Sequence, residues 1–141
     1  MHWWENYPWR MIQTNLREID MEDIDAKKYV KDLKDFGATV VTLNTAGIIA
    51  SYDTDLEYHK KSDYLHGDGL GTIIDECHKA GIKVIARMDF SKVRYEVYEK
   101  HPEWAYRRAD GQIVNYNGDV HTCPNSDYQQ KYALEIVREA L

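Results

Sequence analysis

Residues 81–91 read Gly81-Ile82-Lys83-Val84-Ile85-Ala86-Arg87-Met88-Asp89-Phe90-Ser91. An apolar run leaves a glycine that closes a helical pattern and enters an arginine and an aspartate two residues apart. That is the pattern of a buried parallel strand reached from a crossover helix. Side chains two apart share a strand face, so Arg87 and Asp89 point the same way at the strand's C-terminal end. In β/α architectures chemistry is placed at that end.

Outward from this strand the same grammar recurs. Upstream, Leu70, Ile73, Ile74 and Cys77 keep helical spacing between Asp68-Gly69 and Gly81. Ala38 to Asn44, rich in β-branched residues, predicts the preceding strand. Asp25 caps a helix carrying Ala26, Tyr29, Val30, Leu33 and Phe36, with Gly37 as its stop. Met11 to Leu16 is the first strand, and a long loop runs from Thr45 to about His66. Downstream, Lys92 to Lys100 reads as a short helix stopped by Pro102. Asp110-Gly111 between the runs 104–108 and 112–116 predicts a hairpin. Ser126 with Gln129 forms a capping box for a last helix that buries Tyr132, Ala133, Ile136, Val137 and Ala140.

The order β-α-β-α-β, hairpin, α predicts an α/β fold of three parallel strands with crossover helices and an inserted β-hairpin. Short returns at Gly37-Ala38 and Gly81-Ile82 contrast with long excursions after Asn44 and Asp89. That contrast fits the N-terminal part of a (β/α)8 barrel, with residues 1–141 as a single partial domain. A doubly wound sheet competes, but no GxGxxG or GxxxxGK follows any strand. Eight units need roughly 250 residues, so the chain is either the N-terminal part of such a barrel, with a fourth strand expected past Leu141, or a small open α/β domain in its own right. A third strand left at the sheet edge predicts aggregation or self-pairing of the isolated chain.

The formal net charge is -6, with basic and acidic residues interleaved, which argues against nucleic acid or an anionic membrane as partner. Eleven tyrosines and four tryptophans against two phenylalanines favour aromatics with a polar handle, suited to wet clefts and to stacking on sugar rings. Cys77 and Cys123 lack ligand spacing, so neither zinc nor a disulfide framework is indicated. The six histidines form no HxH or HExxH, and no metal or cofactor is expected, although His59, His121 and Asp89 would make a metal site if their loops converged. No basic n-region leads into an apolar h-region, and no run approaches membrane-spanning length, so the expected location is cytoplasmic.

The strand ends supply Gln13, Asn15, Arg17, Asn44, Arg87 and Asp89. Amides and carboxylates give directional hydrogen bonds to hydroxyls, and arginine forks onto a carboxylate. Arg87 and Asp89 would serve equally as an ion pair tying strand to loop. As a nucleophile Asp89 is a weak candidate, because Arg87 would lower its pKa and hold it. A paired-carboxylate mechanism needs two carboxyl groups about 5–9.5 Å apart, and no such pair can be assembled from the sequence. His121 and Asn125 lie in a segment dense in hydrogen-bonding side chains that returns toward the strand ends. Trp104 and Tyr116 are candidates for stacking on a ligand or for packing within the hairpin.

Several segments together carry a resemblance: Trp-Arg-Met-Ile-Gln-Thr-Asn-Leu-Arg-Glu (9–18), Tyr-Leu-His-Gly-Asp-Gly-Leu-Gly (64–71), residues 81–91, His-Pro-Glu-Trp (101–104), Val-Asn-Tyr-Asn-Gly (114–118) and His-Thr-Cys-Pro-Asn (121–125). On these the chain resembles the hypothetical glycosyl hydrolase 6 family and, more widely, β-galactosidase-like and α-L-fucosidase-like barrels. The resemblance implies a TIM-type barrel that hydrolyses O-glycosidic bonds, with a carbohydrate as substrate. In the wider group an aspartate or glutamate at the end of the fourth strand is typical. By that resemblance Asn15, Asn44, Arg87, Asp89, Trp104, Tyr116, His121 and Asn125 bind sugar while the nucleophile lies beyond Leu141. Any homo-oligomer would form through domains outside this segment. A non-catalytic carbohydrate-binding domain and a metal-dependent hydrolase on the same scaffold stay open.

Overall fold

The computed structural model describes residues 2 and 4–141, in two compact units. The first comprises Met1–Asn44 and Tyr64–Arg87, the second Thr45–Asp63 and Met88–Leu141.

In the first unit β1 (Met11–Gln13), α1 (Ala26–Asp35), β2 (Val40–Gly47), α2 (Gly69–Lys79) and β3 (Lys83–Asp89) follow one another, the last residues of β2 and β3 belonging to the second unit. The sheet order is β1-β2-β3, with β1 parallel to β2 in the register Met11–Val40, Ile12–Val41 and Gln13–Thr42. Asp25 and Asp68 cap the two helices, accepting hydrogen bonds from the Lys28 amide at 2.9 Å and the Gly71 amide at 2.8 Å. Each cap ties up an amide that the first turn leaves without a partner. Both helices stop identically. Gly37 and Gly81 take φ of 75° and 77°, and the amides of Ala38 and Ile82 reach back to the carbonyls of Leu33 and Cys77 at 2.9 Å. This is the Schellman arrangement, which only a residue tolerant of left-handed backbone closes without strain. The α1 and α2 helices pack together and bury Val30, Leu33, Leu70, Ile73 and Cys77 with Val40, Val41, Leu43 and Ile82. Burial pushes the Cys77 thiol up to about 11, which makes it an apolar core group rather than a nucleophile.

Two strand boundaries differ from expectation. β1 ends at Gln13 rather than Leu16, where its register with β2 ends. Thr14 exchanges a 2.7 Å hydrogen bond with the Tyr29 hydroxyl, and Arg17 interlocks with Asp20 at the 3-10 turn Glu18–Met21. β2 begins at Val40 because Ala38 is consumed by the helix stop, and it runs on through buried Thr45, Ala46 and Gly47.

The second unit holds β4 (Lys92–Arg94), α3 (Tyr95–Lys100), β5 (Asn115–Tyr116), β6 (Asp119–His121) and α4 (Ala133–Ala140). Lys92–Arg94 is a strand, where the sequence predicted helix. Val93 pairs with Val120, and Arg94 meets Asp119 at 3.0 Å. A three-residue strand carries no periodicity of its own, so only this non-local pairing reveals it. β4, β6 and β5 form a small antiparallel sheet. Its hairpin turns at Asn117-Gly118, with φ of 52° and 95°, the positive pair that suits tight hairpins. The predicted ribbon around Asp110-Gly111 shrinks to one bridge, Arg107–Ile113. The Ser126–Gln129 capping box does not form: the Ser126 hydroxyl donates to the Cys123 carbonyl at 2.7 Å, and Gln129 is engaged elsewhere. A π-helical turn, Tyr128–Tyr132, leads into α4. The core is Ala46, Val93, Val97, Trp104, Tyr128 and Ile136.

Candidate functional site

In the first unit the strand ends brace one another. The Arg87 guanidinium donates to Asn44 Oδ1 at 2.7 Å, and the Asn44 amide donates to the Leu16 carbonyl at 3.3 Å. Exposed Asn15 accepts from the Gln13 amide at 2.9 Å. Asn44 thus spends both ends of its amide on protein groups, linking β3 to the segment after β1.

In the second unit β3 ends in Asp89, whose Oδ1 accepts from the Ser91 amide at 3.0 Å and the Ser91 hydroxyl at 2.6 Å. This is a local turn in which the carboxylate substitutes for a backbone acceptor. Gly47 has φ of 114°, and a Cβ there would come within 2.1 Å of the Asp89 carbonyl oxygen. Only glycine lets the two backbones approach so closely.

Beyond this turn an open cleft of about 530 Å³ is lined by the apolar surfaces of Phe90, Tyr106 and Pro124 and by the polar Ser91, His121, Thr122 and Gln129. Its volume is in the range of small-molecule sites, roughly 300–1,000 Å³. Three polar side chains, Ser91, Thr122 and Gln129, are held by hydrogen bonds. The Thr122 hydroxyl donates to the Phe90 carbonyl at 2.7 Å. The Gln129 amide donates to the Phe90 carbonyl and, at 2.9 Å, to Thr122 Oγ1. The His121 backbone is pinned on both sides, by Val114 at 2.9 Å and Tyr106 at 2.8 Å. Among the described residues, its imidazole makes no hydrogen bond or ion pair.

Of the residues anticipated from sequence, His121 lines this cleft and Asp89 touches it through Ser91. Exposed Asn125 follows Pro124 but is outside the lining. Tyr116 is 64% exposed on β5, with Lys92 Nζ 5.7 Å from its ring centre. Trp104 is only 6% exposed. His101 stacks on it at 3.9 Å, and Tyr128 and Tyr132 lie 5.3 Å away, so it is a packing residue of the core and offers no open face to a ligand. Ser91, Tyr106, Thr122 and Gln129 escaped the sequence analysis. Asp89-x-Ser91 is a turn pattern that could have indicated Ser91, whereas Gln129 gives no local sign of reaching Phe90.

His59 is 4% exposed. Its Nε2 accepts from the Gly47 amide at 3.3 Å, which puts the ring proton on Nδ1, facing Thr54 Oγ1 at 3.5 Å and Glu139 Oε2 at 3.9 Å. Burial draws its pKa below the ordinary 6.5, outweighing the nearby Glu139. Glu139 in turn accepts from the Tyr52 hydroxyl at 2.9 Å, the Thr54 hydroxyl at 2.6 Å and the Asp55 amide at 2.7 Å. Burial alone would raise the Glu139 pKa, but these hydrogen bonds and His59 lower it below 4.5. With both His59 nitrogens turned inward, the arrangement of His59, His121 and Asp89 around a metal is not formed. Among the described residues no cluster of three histidine, cysteine or acidic side chains is placed to hold one.

The family model described as hypothetical glycosyl hydrolase 6 matches residues 25–141. No curated protein sequence matches the chain. Among solved structures it is similar to α-L-fucosidase isoenzyme 2 from Paenibacillus thiaminolyticus, at 17% identity and a TM-score of 0.66 over 94% of this chain and 21% of that one. It is likewise similar to a hypothetical protein from Ruminiclostridium thermocellum, at 17% identity and 0.60, covering 92% and 68%. A noncanonic maltogenic α-amylase from Thermotoga neapolitana matches at 19% identity and 0.55, covering 79% and 30%. The chain spans about a fifth of the length of the fucosidase. These likenesses show the fold: the parallel strands and crossover helices are those of part of a (β/α)8 barrel.

Proposed function

The chain belongs to the hypothetical glycosyl hydrolase 6 family, and on that premise we propose that it forms part of the sugar-binding wall of a glycoside hydrolase. The observation that carries this reading is the cleft of the second unit, where aromatic and proline surface meets oriented neutral hydrogen-bonding groups. A pyranose has the matching surfaces, an apolar face of C–H groups and a rim of hydroxyls.

The cleft lining includes no carboxylate, and Asp89 beside it is bonded to Ser91. Glycoside hydrolysis takes a pair of carboxyl groups across the scissile bond, so in this reading the acid and the nucleophile come from outside residues 1–141. His121 contacts the sugar directly. Asn15, Asn44 and Arg87 shape the strand ends, and Asp89 holds the loop that presents Ser91. The same lack of a lining carboxylate favours a second reading, a carbohydrate-binding domain without catalysis.

Chromogenic glycosides separate the two. The product of the full reading frame cleaves them under the first reading, while residues 1–141 alone bind sugar without turnover. A full-length product that binds sugar and never cleaves supports the second. Absence of any sugar binding overturns both.

A further inference from the structure

We infer that the cleft selects neutral, hydroxyl-rich sugars and rejects sugar acids, because its fixed polar groups have spent their protons within the protein. This rests on the sugar-binding reading of the same cleft.

The protons can be counted. The Ser91 hydroxyl gives its hydrogen to Asp89 Oδ1 at 2.6 Å. The Thr122 hydroxyl gives its own to the Phe90 carbonyl at 2.7 Å. The two amide hydrogens of Gln129 go to the Phe90 carbonyl and Thr122 Oγ1. These groups retain only lone pairs for a ligand: the Gln129 Oε1 carbonyl and the back of the Ser91 hydroxyl. A ligand meeting them must therefore donate. Sugar hydroxyls donate, whereas an ionised carboxylate only accepts.

Charge acts in the same direction. The lining contains no lysine or arginine, and the Asp89 carboxylate stands directly behind Ser91. A sugar carboxylate entering here loses water without gaining a cation or a committed donor, an unfavourable exchange for any charged group. Tyr106 and His121 can each donate or accept, so they grip a ring hydroxyl of either kind of sugar and do not discriminate. Specificity is set by Ser91, Thr122 and Gln129, and by the bonds that fix them.

The test uses matched ligands that differ only at C6. The 15N-labelled 141-residue chain is titrated with methyl β-D-glucopyranoside and the corresponding glucuronide, and with the galactoside and galacturonide, at constant ionic strength. The expected result is that a neutral glycoside shifts the Tyr106, His121 and Gln129 resonances with a dissociation constant at least tenfold below that of its acid. An acid binding as tightly as its neutral partner at those resonances overturns the selectivity while leaving the sugar site standing. If no member of either pair moves them, the sugar-binding reading itself fails, and the selectivity with it.

Discussion

The two units are stabilised by different kinds of interaction. In the first, each helix is bounded by a capping aspartate and a left-handed glycine, and the apolar positions between them pack at regular spacing. Backbone motifs and periodic burial dominate there, supplemented by a few long-range side-chain bonds such as Arg87 to Asn44 and the Tyr7 hydroxyl to the Gly81 carbonyl. In the second, regular elements are short, and the chain is fixed by side chains reaching across long sequence separations. Glu139 gathers Tyr52, Thr54 and Asp55, while Gln129 and Thr122 fasten the Phe90 carbonyl. Local rules build a scaffold, and long-range polar contacts shape the cleft. In proteins generally, binding residues concentrate on elaborated segments held by a rigid scaffold.

The sharpest way to break the comparison is to remove the centre of the second unit's core. Trp104→Ala should cost about 3–5 kcal/mol, as large aromatic truncations in cores do, read as a lower denaturation midpoint in urea. If Trp104 were a surface stacking residue, the same change would leave the midpoint nearly untouched.

Next in size is the clamp at Glu139. Glu139→Ala takes the charged acceptor from the half-buried Tyr52 and Thr54 hydroxyls and from the exposed Asp55 amide and should cost about 1–3 kcal/mol. Acid weakens the same clamp. The folded-state pKa values of His59 and Glu139 are both depressed, so the unfolded chain binds more protons and stability falls as pH is lowered. The loss begins as pH drops through 6.5, the ordinary value for His59, and deepens below 4.5, the ordinary value for Glu139. Melting temperatures of the wild type and His59→Gln across pH 4–8 check this, because the variant should lose the upper part of the slope and keep the lower.

The first unit should respond more mildly to a local change. Asp25→Ala deletes one cap and should cost about 1 kcal/mol, with Asp25→Asn restoring most of it. A loss as large as that from Trp104→Ala would mean that one local cap matters as much to the first unit as a core aromatic does to the second.

The same division explains what was legible in the sequence. Asp25, Gly37, Asp68 and Gly81 marked the helix ends because capping is local chemistry, and the β-branched run before Asn44 marked its strand. The arginine and aspartate at the end of β3 were rightly placed at a strand tip, yet their immediate partners, Asn44 and Ser91, could not be read from spacing alone. β4 was hidden because three residues show no period. Asp110-Gly111 and Asn117-Gly118 are both good turn sequences, and pairing of Val120 with Val93 decided which became the hairpin. The segment dense in polar residues pointed to His121, which lines the cleft. Tyr106 and Gln129 were not legible in this way, because their place in the cleft depends on where residues 90, 121 and 122 meet them.

The central claim is that this cleft is a sugar site with Tyr106 as its aromatic wall. Isothermal titration of Tyr106→Ala with the tightest-binding neutral glycoside tests it most directly, since Tyr106 is exposed and its loss should leave the fold intact. An aromatic contact worth about 0.5–1.5 kcal/mol beyond simple burial predicts a dissociation constant raised by about twofold to about tenfold at an unchanged melting temperature. An unchanged dissociation constant would contradict the account.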